Sequence, residues 1–133
     1  MKKLSAAAVI GMLACAISGT STAATFEECK DVSNTQNKTY PMALDEMTTL
    51  ITSYCVKEGN RLVLANKYLL SASSASEMKS DGASLIKKAT LSGVCADADV
   101  KASLQEVDLR YEYVFKNLKP YTAFTIKNGD CKK

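Results

Sequence analysis

Histidine is missing from the chain, and so is tryptophan. Without imidazole there is no side chain that ordinarily titrates near neutrality, no usual activator for a serine or cysteine nucleophile, and the commonest transition-metal ligand is missing. Proline is limited to Pro41 and Pro120, and no glycine-rich phosphate loop occurs. The cysteines never form a Cys-x-x-Cys pair, which argues against thiol exchange and against a zinc site. Lysines are dispersed, with no basic block interleaved with aromatics, so nucleic acid is not an expected partner.

What is present begins at the amino end. Met1, Lys2 and Lys3 precede an apolar stretch from Leu4 to Ile17, and the small residues Ser21, Thr22, Ala23 and Ala24 follow. That is the pattern of an export signal cut after Ala23 or Ala24. It assigns residues 1–24 to a signal peptide and residues 25–133 to a single domain, with the periplasm as destination. A lipoprotein-type cut before Cys15 is the alternative, leading to the outer membrane, but Met12 stands where such a cut wants a branched aliphatic residue. An uncleaved anchor needs about 18 apolar residues. Gly11, Ser18 and Gly19 leave fewer, so no membrane insertion is expected after cleavage. Lys2 and Lys3 leave with the signal, and the net charge falls from +3 to +1.

The spacing of apolar residues predicts a mainly α fold, a small disulfide-stapled bundle of about four helices. From Asp97 to Leu118, residues Val100, Leu104, Val107, Tyr111, Val114 and Leu118 recur at steps of 4, 3, 4, 3 and 4, one stripe of a helix. Asp97 or Asp99 can cap its start and Pro120 stops it. A second helix is read over Met42–Lys57, with Leu44, Met47, Leu50, Ile51, Tyr54 and Cys55 on one side and Gly59 and Asn60 ending it. Arg61–Leu70 is apolar almost all round and is taken as a short buried helix. A hairpin across 56–64, turning at Glu58, Gly59 and Asn60, is the alternative. The serines of Ser71–Ser80 mark a connector, and Ala83–Ser92 a short helix stopped by Gly93.

In an oxidising compartment Cys29, Cys55, Cys95 and Cys131 become candidates for two disulfides. Each would contribute about 2 to 4 kcal/mol to a domain with a modest core. If the two long helices pack antiparallel, Cys55 meets Cys95 at one end and Cys29 meets Cys131 at the other. This nested pairing is the expectation, and the sequential one, Cys29 with Cys55 and Cys95 with Cys131, stays open.

Carboxylate pairs are the remaining route to catalysis. Glu27 with Glu28, Asp45 with Glu46, and Asp108 with Glu112 are the close ones, and all read as solvated or capping groups. Asp97 and Asp99 start like a calcium loop, but Lys101 takes the next ligand position and no glycine follows. Asn37-Lys38-Thr39 is a glycosylation triplet, relevant only to a eukaryotic secretory route. The expectation is no enzyme, no metal and no cofactor.

On the far side of the predicted Asp97–Leu118 helix, Leu109 and Tyr113 form a second apolar strip. Either the tail carrying Tyr121, Phe124 and Ile126 folds over it, or it meets a partner. Leu109, Tyr113 and Tyr121 are the candidate partner-binding residues, because aromatics favour interface centres. A second copy of the chain is one partner such a strip would fit. The overall build resembles, in class and without a matched motif, bacterial periplasmic immunity proteins, secretin pilotins and assembly accessories, and acid-stress chaperones. It implies a non-enzymatic exported protein with a protein partner. An immunity or inhibitor protein occluding a toxic effector or envelope hydrolase is the leading expectation. A pilotin-like accessory of a secretion or pilus system is the alternative.

Overall fold

A computed structural model describes residues 25–131. The expected signal peptide, 1–24, and Cys15 within it lie outside the described residues. The elements run α1 (Phe26–Asn37), β1 (Met42–Ala43), β2 (Thr48–Glu58), β3 (Arg61–Leu70), α2 (Gly82–Ala96), α3 (Ala98–Ser103), β4 (Val107–Val114) and β5 (Pro120–Ile126). Single 3-10 turns lie at Ala75–Glu77 and Asn128–Cys131. The strands make one sheet in the order β1-β2-β3-β4-β5. Neighbours are antiparallel except β3 and β4, which are parallel. A parallel pair requires a crossover, and α2 with α3 provides it.

The expected helical bundle is thus corrected to a five-stranded mixed sheet with helices on one face. Residues 48–58 read Thr-Thr-Leu-Ile-Thr-Ser-Tyr-Cys-Val-Lys-Glu, rich in β-branched and aromatic side chains that favour a pleated surface over a helix. They form a strand, not the helix read over 42–57. Residues 61–70 form its hairpin partner, not a buried helix. Glu58 pairs with Arg61 around the two-residue turn Gly59-Asn60, with Gly59 at φ 59°, as a type II′ turn requires at its first central position.

The helix predicted over Asp97–Leu118 splits in two. Asp97 caps α3 through the N–H groups of Asp99 and Val100, as its position suggests, but α3 ends at Ser103. Val107, Leu109, Tyr111 and Tyr113 then alternate with Asp108, Arg110 and Glu112 along β4. This period of two is the strand signature, and it coexists with the helical spacing because Val107 and Tyr111, four apart, satisfy both, whereas Val114 falls on the other face of a strand. The helix read over Ala83–Ser92 is present and continues past Gly93 to Ala96. Sequence reading missed α1 altogether. Its signal was local: Thr25 and Glu28 form a reciprocal capping box, while its buried stripe is Cys29, Ser33 and Gln36, too polar for a periodicity search.

Strand register places the core on one face of the sheet. One row across it is Cys55, Leu64, Leu109 and Ile126; the next is Ser53, Asn66, Tyr111 and Phe124; a third brings Leu50, Tyr68 and Tyr113 together. Cys29 of α1, Ile86 and Val94 of α2, and Val100 of α3 pack into the same cluster. Tyr68, Tyr111, Tyr113 and Phe124 stack at centroid separations of 4.8 to 6.3 Å, geometry that adds to the energy of their burial.

Two disulfides pin this arrangement. Cys29 pairs with Cys55 and Cys95 with Cys131, with Cα separations of 6.0 and 5.4 Å. The nested pairing is therefore replaced by the sequential one. It presupposed two antiparallel helices, whereas Cys55 sits on a strand directly beneath α1.

Candidate functional site

The opposite face of the sheet carries one of the three carboxylate pairs weighed for catalysis, Asp108 and Glu112; Glu27 and Glu28 lie on α1, and Asp45 and Glu46 on the β1–β2 turn. Asp108 is buried and receives the Arg61 guanidinium at 2.9 Å, while Arg61 also donates to the carbonyls of Leu104 and Gln105. Glu112 accepts the Tyr54 hydroxyl at 2.6 Å. Burial and this bond to Glu112 push the Tyr54 phenol up to about 12. Arg110 bridges to Glu58 at 2.7 Å. On a strand, residues four apart are separated by about 13 Å, beyond the span of a carboxylate pair that cleaves a glycosidic bond. Asp108 and Glu112 thus tie β2, β3 and β4 together. Among the described residues no cluster of three or more His, Cys, Asp or Glu could hold a metal ion.

Asn37 of the glycosylation triplet has a structural role. Its side-chain amide donates to the Ser53 carbonyl at 2.8 Å and accepts from the Ser53 N–H at 2.7 Å. It does for β2 what a neighbouring strand would do, just beyond the end of the short β1.

Of the candidate partner residues, Leu109 and Tyr113 are each only 2% exposed. Both lie in the core because alternation along β4 puts them on the face of Val107 and Tyr111, not opposite it. Burial pushes the Tyr113 phenol up to about 12, and the nearby Asp45 charge adds to the rise. The tail lies beside them in the sheet, not over them: Ile126 pairs with Leu109 and Thr122 with Tyr113. Tyr121 is half-buried, its ring 5.1 Å from that of Phe115. The three do not form one exposed surface.

A different surface is open. Between the β1–β2 turn and the first half of α2 runs a groove of about 700 Å³. Its floor is Leu70 and Ile86, and its walls are Met47 on the turn, Met78 on the connector, and Leu85 and Ala89 on α2. Met47 is 51% exposed and Leu85 46%, large apolar side chains left facing solvent beside a concavity. The geometry of α2 explains this. Ile86, Thr90 and Val94 point at the sheet, and the adjoining stripe of Leu85 and Ala89 meets the groove. The walls are held in place: Asp45 accepts the Met47 N–H at 2.8 Å, the Met47 carbonyl accepts the Ser71 N–H at 2.9 Å, and Glu77 accepts the Ser73 N–H at 3.1 Å. A wall fixed before binding loses little entropy on docking.

No family model matches the sequence, and no curated protein does. Solved structures share the fold. A protein from Pseudomonas aeruginosa described as secreted superposes with a TM-score of 0.63 at 22% identity, over 80% of this chain and 91% of that one. EpsS, the pilotin of the Vibrio vulnificus type 2 secretion system, superposes at 0.64 with 11% identity, over 81% and 92%. AspS, the type II secretion system pilotin of Vibrio cholerae, superposes at 0.57 with 8% identity, over 80% and 91%. At these identities the likeness establishes a common fold.

Proposed function

We propose that this chain is an exported, non-enzymatic accessory protein of a secretion system, of the pilotin kind, which binds a protein component of that system through the Met47–Leu85 groove. The observation that carries the reading is a fold shared with two type II secretion pilotins over four fifths of the chain, joined to an open apolar groove with fixed walls. The amino-terminal export pattern, residues 1–24, agrees with a periplasmic site of action. The reading as an immunity protein or hydrolase inhibitor gains no such support, and its anchors Leu109 and Tyr113 are buried.

The test is affinity capture from cell-envelope extract with the tagged full chain, against a Leu85→Glu variant. Capture of an outer-membrane secretion component by the native chain and its loss with the variant is the expected result. Recovery of no secretion component, or equal recovery by both, overturns the reading. Intact mass of the exported chain distinguishes a start near Thr25 from a lipid on Cys15.

A further inference from the structure

The groove differs in charge from its apolar interior. Its lining includes Asp45, Glu46 and Glu77 against the single ammonium of Lys79. Glu46 and Glu77 are exposed, Asp45 is half-buried, and among the described residues none of the three takes part in an ion pair. The oxygens of Asp45 and Glu77 that accept the Met47 and Ser73 N–H groups fix the two carboxylates beside the groove. Elsewhere on the chain the arginines already have acidic partners, Asp108 and Glu58. The groove rim therefore concentrates negative charge beside an apolar floor.

We infer that the occupant of this groove is a segment of a partner protein whose apolar side chains are flanked by lysine or arginine, the apolar part seated against Met47, Leu85 and Ile86 and the cations against Glu46 and Glu77. The inference rests on the accessory-protein reading above and adds the chemistry of the partner. Methionine walls suit such a segment because an unbranched thioether adapts to the shape of what it meets. Rim charges act mainly on encounter and on discrimination between partners, and they are screened by salt.

The test uses a pair of synthetic amphipathic peptides, alike in a leucine stripe, one with lysines beside the stripe and the other with glutamates. Binding is followed on the full chain by fluorescence anisotropy and by NMR shift mapping. The lysine peptide should bind about tenfold more tightly than its counterpart at low salt, with shifts confined to the groove. That preference should shrink in 0.5 M salt and vanish in the Glu46→Gln/Glu77→Gln variant, whose two exposed substitutions leave the thermal midpoint unchanged. Leu85→Ala should weaken both peptides. Equal affinity of the two peptides, or shifts centred on Arg61 and Arg110 of the opposite face, overturns the inference. So does concentration-dependent dimerisation that occludes the groove. If the chain captures a secretion component with undiminished yield in the Glu46→Gln/Glu77→Gln variant, the partner chemistry is wrong while the accessory reading stands. If the lysine peptide seats as expected and no secretion component is captured, the chemistry holds and the accessory reading falls.

Discussion

Asn37 supplies the two hydrogen bonds that Ser53 would otherwise receive from a neighbouring strand, and Ser53 is almost fully buried. Replacing Asn37 with alanine leaves a buried N–H and C=O without partners, a change that costs about 1 to 3 kcal/mol. Urea denaturation should show that loss, and Asn37→Asp, which keeps only the acceptor, should fall between. The tyrosine hydroxyls of the core behave in the opposite way. Those of Tyr68 and Tyr111 are buried with no hydrogen-bond partner among the described residues, so Tyr111→Phe removes a desolvated group and leaves the packing surface. Its stability should stay within about 1 kcal/mol of the native chain or rise; a loss of several kcal/mol would refute this account. Tyr54 and Tyr113 contribute to the alkaline limit, together with Tyr40, Tyr68 and Tyr111, whose phenols burial also raises. Those of Tyr54 and Tyr113 are raised from the ordinary 10.0 to about 12, so between those values the native state holds protons that the unfolded chain has released. Stability is therefore full below about pH 10 and declines as pH rises through 12. Tyrosinate absorbance and the unfolding midpoint, followed together across that window, check the sign.

At the scale of elements, α1 depends on fastenings beyond its own packing. Its buried stripe is Cys29, Ser33 and Gln36, which offers little apolar surface, and the Cys29–Cys55 bridge and the Asn37 contacts fasten it to β2. Closing a loop of 26 residues removes enough unfolded-chain entropy for about 3.5 kcal/mol of stability. The Cys29→Ser/Cys55→Ser variant should lose about that much, with amide exchange in α1 rising before that in β3. Uniform exchange across the chain would show that α1 is held by packing alone. The elements also mark where sequence reading succeeded. The helix at 83–92, the cap at Asp97 and the connector over Ser71–Ser80 were legible because their signals are local. β2 and β4 were not, since residues four apart such as Val107 and Tyr111 fit a helical stripe and a strand face equally, and only pairing with β3 and β5 decides between them.

Across the whole molecule, core and candidate binding surface share only the groove floor, Leu70 and Ile86, with Met78 packed beside it, so variants of the buried strands and of the exposed wall should part. Leu109→Ala removes a core side chain and should cost about 2 to 5 kcal/mol of stability, with partner binding per folded molecule unchanged. Leu85→Ala removes a side chain that is 46% exposed and should leave the thermal midpoint nearly unchanged while weakening binding. If both variants lose binding in proportion to stability, the groove is not the docking surface.

The sequence by itself determined the export pattern, the supply of cysteines for two bridges, the scarcity of catalytic side chains, and one helix with its neighbouring cap, because each depends on residue identity or on contacts within a few positions. Tertiary structure chose between alternatives the sequence left open, the 56–64 hairpin and the Cys29–Cys55 pairing, and alone decided that β4 is a strand, that Leu109 and Tyr113 face inward, and that Met47, Met78 and Leu85 line one groove. Those outcomes depend on which distant segments lie side by side. Pairing β3 with β4 brings together residues 45 positions apart in the chain, Leu62 with Val107 through Leu69 with Val114, and no local periodicity records that contact.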